Sequence, residues 1–376
     1  VRGEWVALLD HDDLLAPEAL VWVVRTLLEQ PHAQLIYSDE DKIDENGVYH
    51  EPYFKPDWNP ALIEGQNLFS HLGVYRSDLI RKVGGFREGL EGSQDYDLLL
   101  RCLDEVHDEA VVHIPRVLYH WRVHLQSTAS GNGAKPYVVA AAVQALSESL
   151  QRRREVGSVD ALTQGYRIRR QCPKPLPSVE VVIDARQMGL RALCRNLKAL
   201  VSSTAVPLVF QVITDAHQEA QLHHVSSVAA LTLNPVRRLA EVSSAATLLL
   251  FWDRHLLARV RGVDRSSDWL IELISQLQAK NVVAAGPKLL HPNGKISHAG
   301  LLLSVTQLAI PAHHGFGREE AGYFGRANLV QNLSALPLQG LLVQRTALEE
   351  AHGLQVDPLL APHWSLDLCL RLQQAG

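Results

Sequence analysis

The residues most able to do chemistry come early in the chain. Leu8-Leu9-Asp10-His11-Asp12-Asp13 closes the apolar run over residues 5–9. Three acids within four residues repel one another unless positive charge sits between them. A divalent cation supplies that charge best, because hard cations prefer carboxylate oxygens. The pattern therefore reads as a strand that delivers a metal to its C-terminal end, where ligands bind in open α/β sheets. The competing reading is a solvated acidic turn ahead of the helix that begins near Pro17, with Asp12 or Asp13 as a helix-start acid.

The elements that must position these residues alternate. A helix is expected over 17–30, with Leu20, Val23, Val24, Leu27 and Leu28 on one face. A short strand over 35–37 leads into Asp39-Glu40-Asp41, and Asn46-Gly47 signals a turn. A Pro- and aromatic-rich loop covers 52–60. Residues 71–75 read as a strand and 78–83 as a helix closed by Gly84-Gly85. A further helix begins at Asp95. Strand-like pieces follow at 111–114 and 117–119, then a helix over 136–154. Residues 171–178 hold three prolines and read as part of a linker, and 179–183 opens a new strand. Alternation of this kind implies an α/β layered fold.

Composition bounds the rest. The 376 residues suffice for about two domains. A net charge of −5 carries no nucleic-acid signature. The four cysteines are scattered, which fits a reducing compartment and argues against a zinc or disulfide framework. No apolar run reaches the ~18 residues of a membrane span. The chain opens at Val1, has its single Met at 188 and stops at Gly376. Both ends look cut, so a fragment of a longer protein is expected.

The two halves repeat. Gly73-Val74-Tyr75-Arg76, Gly85-Phe86 and Asp97-Leu98-Leu99-Leu100-Arg101 match Leu342-Val343-Gln344-Arg345, Gly353-Leu354 and Asp367-Leu368-Cys369-Leu370-Arg371. Arg76 to Asp97 is 21 positions and Arg345 to Asp367 is 22. Near-equal spacing across three markers suggests two copies of one domain. In this alignment Asp95 faces Ser365, and Asp10-His11-Asp12-Asp13 faces Phe251-Trp252-Asp253-Arg254. A carboxylate can take a proton near neutral pH, whereas a serine without a partner base cannot. Phe251 and Trp252 cannot hold a hard cation.

Together these residues resemble the family 2 glycosyltransferases, inverting enzymes of the GT-A fold. Asp10-His11-Asp12-Asp13 resembles the DxD motif. Tyr37-Ser38-Asp39-Glu40-Asp41-Lys42-Ile43-Asp44 is a second mark. Gly92 to Arg101 resembles the ED-x-D-L-x-x-R segment, with Gln94 where the family usually has Glu. Tyr119-His120-Trp121-Arg122 is similar to the late His/Trp/Arg segment. The second half resembles the family through Ile296-Ser297-His298-Ala299-Gly300, Gly322-Tyr323-Phe324-Gly325-Arg326 and Asp367 to Arg371. The resemblance implies two GT-A-like, Rossmann-type domains with mostly parallel sheets in tandem. Residues 1–155 would be the C-terminal part of the first, lacking its nucleotide-binding half. Residues 156–178 would be a linker and 179–376 a degenerate second copy, truncated at its C-terminus.

The implied activity is transfer of a sugar from a nucleotide-sugar donor to an oligosaccharide or lipid-linked glycan acceptor, in surface-polysaccharide or O-antigen synthesis. Mn²⁺ or Mg²⁺ would neutralise the departing diphosphate. Asp12 is the first expected ligand, with Asp10 and His120 beside it, and a histidine ligand would favour Mn²⁺. His120 also fits a packed aromatic strand. Asp10, Asp13 and Arg122 would contact the donor, Arg122 through a phosphate or, alternatively, a structural carboxylate such as Asp97. Asp95 would be the base that deprotonates the acceptor hydroxyl, and Asp97 would orient the helix or a nearby loop.

Weaker candidates follow. Asp39, Glu40 and Asp41 could shape the pocket, although charge runs are usually solvated. Trp58 and Trp121 could stack on sugars, although an isolated Trp usually packs. Arg152 to Arg154 could touch anionic lipid, although a solvated helix end is the plainer reading. Asp215 and His298 occupy family-like positions in the second half without an expected catalytic role. A cytoplasmic enzyme is expected, with peripheral association at the cytoplasmic face of the inner membrane as one option. A non-catalytic glycan-binding or scaffold module is the alternative, above all for the second copy. A nucleotidyltransferase or hydrolase would need a phosphate-cradling glycine loop or a second metal cluster, and the sequence offers neither.

Overall fold

The computed structural model describes residues 2–123, 136–215, 233–236, 246–253, 268–354 and 363–375, together with residues 219, 222, 226, 255, 256 and 258. The chain forms two units. Unit 1 is residues 1–168 with 321–332, and unit 2 is residues 169–320 with 333–376. Each is a mixed α/β layer structure. Among the described residues no helix is long and apolar enough to cross a membrane.

Unit 1 is built on a six-stranded sheet. Its strands are β1 (Trp5–Ala7), β2 (Leu14–Leu15), β3 (Leu35–Ile43), β4 (Tyr49–Tyr53), β5 (Gly73–Arg76) and β6 (Val111–Arg122), in the order β1-β5-β3-β6-β2 with β4 on β3. β3 opens on Leu35, Ile36 and Tyr37, all fully buried, as β-branched and aromatic residues favour. It does not stop there as the sequence suggests, but runs on through Asp39-Glu40-Asp41 to Ile43. The two strand-like pieces at 111–119 are one strand. Its register against β3 breaks between Ser38 and Asp39, where Pro115 and Arg116 are left over. Proline in a sheet is confined to such irregular places.

The expected mostly parallel sheet does not hold for unit 1. β5 inserts between β1 and β3 and runs against both, and β2 runs against β6, so β3–β6 is the parallel pair. The helices are α1 (Ala19–Glu29), α2 (Pro60–Ile63), α3 (Ser77–Val83), α4 (Gln94–Leu103) and α5 (Pro136–Arg152). α1 buries Ala19 and Val23 but leaves Leu20, Val24 and Leu28 exposed, a narrower buried face than its pattern suggests. α4 packs on α3 and α5 through the buried Leu98, Leu99 and Leu146. Part of the expected linker over 156–178 is a ladder, β7 (Gly157–Ala161) with β8 (Tyr166–Arg170). Ile168 joins the unit 1 core there.

Residues 321–332 lie in the second half of the sequence yet belong to unit 1. Asn59 caps α2 by accepting from Leu62 N at 3.0 Å, and its carboxamide also exchanges bonds with the Asn332 backbone, both 2.9 Å. The Asn332 side chain in turn accepts from Ala61 N at 2.9 Å. Helix N-termini leave such N–H groups unpaired, and asparagine satisfies them well.

Unit 2 has the strands β9 (Val179–Asp184), β10 (Leu208–Ile213), β11 (Leu233–Val236), β12 (Leu248–Trp252), β13 (Ala284–Ala285) and, later in the chain, Leu342–Gln344. β11, β10, β9 and β12 are parallel, and Leu342–Gln344 runs antiparallel to both β12 and β13. The triplet β12, Leu342–Gln344, β13 has the directions of β1, β5, β3. The helix ends repeat too. Gly84-Gly85 closes α3 in the left-handed region, and Arg101 on α4 donates to Val83 O at 2.5 Å and Gly85 O at 2.6 Å. In unit 2 His352-Gly353 is left-handed, and Arg371 donates to the Ala351 and Gly353 carbonyls. Asp97 holds Arg101, and Asp367 holds Arg371 at 3.0 Å.

The ladders correct the alignment by one residue. Ala7 pairs with Val74 and Leu249 with Val343. With Val74 and Val343 equivalent, Asp10 faces Trp252, not Phe251. The shift is invisible in sequence because both segments are simply apolar.

Candidate active site

The acidic turn of unit 1 hangs between β1 and β2. Leu8 N donates to Gly73 O at 3.0 Å and Asp13 N to Asp10 O at 3.3 Å, so the chain folds back directly after the strand. Asp10 stays exposed, Asp12 is half-buried and Asp13 is buried. β6 fixes the turn from the far side. Arg122 N donates to Asp13 Oδ1 at 2.7 Å and Arg122 Nε to the Asp12 carbonyl at 2.7 Å, while the Tyr119 hydroxyl donates to Asp13 Oδ2. Arg122 is thus a brace of the acidic turn and does not meet Asp97.

Asp10, Asp13 and His71 each place one ligand atom within 4.8 Å of the others. Two carboxylates and an imidazole form a donor set for a divalent cation such as Mn²⁺. Among the described residues this is the one set of three or more acidic, histidine or cysteine groups with that spacing. Of the expected ligands Asp10 belongs to it, whereas Asp12 and His120 do not. The turn directs Asp13 inward instead of Asp12, and His120 bonds Asp41 through Nδ1 at 2.5 Å beneath the Tyr49 ring.

His71 is the residue that sequence reasoning missed. It stands at the head of β5, its ring stacked on Tyr119 with centroids 4.5 Å apart. Its Nδ1 meets Glu40 Oε2 at 3.1 Å and its Nε2 meets Ser70 Oγ at 3.2 Å. Lys55 Nζ lies 3.5 Å from the same Glu40 oxygen. Burial opposes charge on His71, but the Glu40 carboxylate outweighs it and raises the pKa. Burial also opposes charge on Glu40, yet Lys55 and His71 hold its pKa below the ordinary carboxylate range. The acidic run of β3 is therefore partnered rather than solvated. Asp39 is buried and bonds His113 Nε2 at 2.9 Å and Lys55 N at 2.8 Å. The repeat held a signal for His71, since its counterpart five positions before Arg345 is Gly340.

Asp95 sits in the first turn of α4 and faces the same place. Asn67 Nδ2 donates to its Oδ2 at 2.9 Å. Burial raises its pKa, the Tyr96 backbone N–H and His71 partly offset this, and Asp10 raises it further. Burial likewise raises the Asp13 pKa, against the bonds from Tyr119 and Arg122. Two carboxyls that resist full charge beside a third exposed one make a site that favours added positive charge. Gln94 does not join Asp95. Its Oε1 accepts from Gly92 N at 2.6 Å, a local cap of the helix start. Asp97 is fully buried between Arg87 and Arg101 and is structural.

The weaker candidates stand elsewhere. Trp58 Nε1 donates to Asp108 at 2.8 Å. Trp121 packs against the His71 ring at 5.4 Å, at the edge of the site. Arg152 and Arg153 pair with Asp104 at 2.5 Å and Glu64 at 2.9 Å, so two of the three arginines at this helix end are matched within the unit. In unit 2 burial drives the His298 pKa down to about 4. At the position equivalent to Asp10, the Trp252 indole is buried and donates to Asn196 Oδ1 at 2.8 Å.

No protein-family model matches the chain. A Sinorhizobium fredii protein, y4gI, is 36% identical over 388 residues, covering 100% of this chain and 42% of that protein. The O-antigen biosynthesis protein RfbC of Myxococcus xanthus is 31% identical over 369 residues, 94% of this chain and 28% of its own length. The O-antigen biosynthesis glycosyltransferase WbnJ of Escherichia coli is 29% identical over 126 residues, 33% of this chain and 49% of that protein. RfbC and WbnJ support a glycosyltransferase family for the chain. The chain spans less than half the length of each.

Proposed function

We propose that unit 1 carries the catalytic centre of a metal-dependent, inverting glycosyltransferase of the family 2, GT-A type. Its donor would be a nucleotide-sugar and its acceptor a glycan or lipid-linked glycan of a surface polysaccharide such as an O-antigen. The observation that carries this reading is the convergence of Asp10, Asp13 and His71 with Asp95, a carboxyl of raised pKa, on one end of the sheet. Asp10, Asp13 and His71 fit Mn²⁺ or Mg²⁺ as an O, O, N donor set. Such an ion supplies Lewis-acid neutralisation of a departing diphosphate.

The chain's own residues do the rest. Tyr119 and the Arg122 backbone fix both Asp13 oxygens, and Glu40 fixes the His71 ring, so the donor set is preorganised. Asp95 accepts the proton of the attacking acceptor hydroxyl. Its raised pKa brings it closer to neutrality, where a general base works best. Asn67 on Oδ2 orients the carboxylate. One base suffices for a single displacement with inversion, so Gln94 in place of a second acid leaves the scheme intact. Arg122 acts through the Asp12 carbonyl, holding the turn.

Unit 2 is a non-catalytic companion in this reading, a glycan-binding or scaffold module. Trp252, Gly340 and Ser365 stand where unit 1 has Asp10, His71 and Asp95. The test is sugar transfer by the full-length parent protein with Mn²⁺ and a panel of nucleotide-sugars. Asp95→Asn should cost at least 10²-fold in kcat and Ser365→Ala little. Unchanged turnover in Asp95→Asn would overturn the base assignment, and loss in Ser365→Ala would restore a catalytic role to unit 2.

A further inference from the structure

A second constellation in unit 1 lies outside the residues assigned so far. Glu51, Pro52, Phe54, Tyr323 and Phe324 line an open cleft of about 390 Å³. Phe324 lies flat on the buried Tyr53, centroids 3.9 Å apart and planes within 9°. Tyr323 meets Phe324 at 77° and 4.8 Å, so the two rings form a corner. Tyr323 is locked there. Its hydroxyl donates to Pro52 O at 2.6 Å and accepts from Phe54 N at 2.9 Å. Arg326 donates to Phe54 O at 2.8 Å and sits over the Tyr53 ring. Despite this fixing, Phe54, Tyr323 and Phe324 remain 56%, 42% and 36% exposed.

Two further facts set the cleft apart from ordinary packing. Glu51 and Phe324, both on its wall, each hold φ at +49°. Left-handed non-glycine backbone costs of order 1–3 kcal/mol and collects at ligand clamps. A relay of side chains connects the cleft with the proposed centre: Phe324 stacks on Tyr53, the Lys55 Nζ lies 5.7 Å from the Tyr53 ring, and Lys55 reaches Glu40, the partner of His71.

We propose that Phe54, Tyr323 and Phe324 form an acceptor subsite that stacks on a sugar ring, with the Glu51 carboxylate, which also pairs with Lys42 Nζ at 2.6 Å, accepting hydroxyls at its rim through its remaining acceptor positions. The proposal rests on the transferase reading above and deepens it. Aromatic faces carry negative charge density and attract the C–H-rich faces of pyranose rings. A carboxylate offers several acceptor positions to hydroxyl donors. An alkyl chain would instead have to desolvate the Lys42–Glu51 ion pair without return, whereas hydroxyls can bond to it, so the glycan is the favoured occupant over lipid. Residues of the second half of the sequence would thus select the acceptor for the centre in the first.

The experiment uses the full chain on an array of defined bacterial surface oligosaccharides, with phosphatidylglycerol vesicles as a parallel probe. The variants are Phe54→Ala, Phe54→Trp and Phe324→Ala. Phe54 is exposed, so Phe54→Ala should keep the fold even where Phe324→Ala loosens Tyr53. Glycan binding by wild type that falls about tenfold in Phe54→Ala and is kept by Phe54→Trp supports the subsite. Equal glycan binding by wild type and Phe54→Ala, or no glycan binding at all, overturns it. Vesicle binding lost in Phe54→Ala without glycan binding overturns it in favour of lipid. Sugar transfer is scored separately on the full-length parent protein, so a parent that binds glycan but transfers no sugar would refute the transferase reading and leave the subsite standing.

Discussion

Replacing Asp97 with alanine should loosen unit 1 far more than the matching change at Asp367 loosens unit 2. Asp97 is fully buried and receives bonds from Arg87 Nε and Nη2 and from Arg101 Nε and Nη2. Arg101 is 8% exposed, so Asp97→Ala strands a buried charge whose remaining partners are the α3-end carbonyls. Breaking a buried ion pair on one side costs about 3–5 kcal/mol. Asp367 is 19% exposed and meets Arg371 through Nε at 3.0 Å, a partly wet pair worth about 1 kcal/mol. Hydrogen exchange read separately on peptides of α4 and of Trp364–Ala375 gives the opening free energy of each unit. Pairing with Arg87 and Arg101 overcomes the effect of burial and holds the Asp97 pKa below 3.8. The stabilisation is therefore complete above that value and lost as pH falls through the folded pKa. Wild type and Asp97→Ala should differ fully at pH 7 and converge in acid. An Asp367→Ala effect as large as that of Asp97→Ala would refute the reasoning, as would a gap that persists at low pH.

Three further outcomes are expected. His71→Ala should weaken Mn²⁺ binding, followed by calorimetry, by about 10–100-fold, while His120→Ala should change it less than threefold; the reverse order would return His120 to the donor set. Tyr119→Phe removes the donor to Asp13 Oδ2 and should cost about 1–2 kcal/mol in urea unfolding, with weaker Mn²⁺ binding; an unchanged affinity would mean that Asp13 needs no such orientation. Leu99→Ala, in the fully buried face of α4, should cost about 3–5 kcal/mol, and a loss below 1 kcal/mol would contradict the packing described.

Much of this was legible in the residues. The acidic turn, the helix that presents Asp95 and the repeat of Asp97 and Arg101 as Asp367 and Arg371 all follow from local pattern and spacing. Long-range pairing was not legible. His71 reads as an ordinary strand residue until β5 is known to insert beside β1. Asp39 and Glu40 look solvated until His113, Lys55 and His71 converge on them from sites 15 to 74 positions away. Asp12 and Asp13 are interchangeable in sequence, and the single turn after β1 decides which one points inward.

The placement of residues 321–332 has a consequence for how the protein is made. Asn59 and Asn332, which secure α2 together, are 273 positions apart. Synthesis runs from the N-terminus, and a domain usually forms as its own stretch emerges. Here the first unit leaves the ribosome without its last piece, and some 150 residues of the second must follow before the piece arrives. Until then Tyr53 lacks the Phe324 ring that covers it. Pairing at so long a separation is slow to form, so the first unit should exist for a time as a nearly finished intermediate with an uncovered aromatic patch. A nascent chain halted just after residue 168 would be the species most in need of a chaperone.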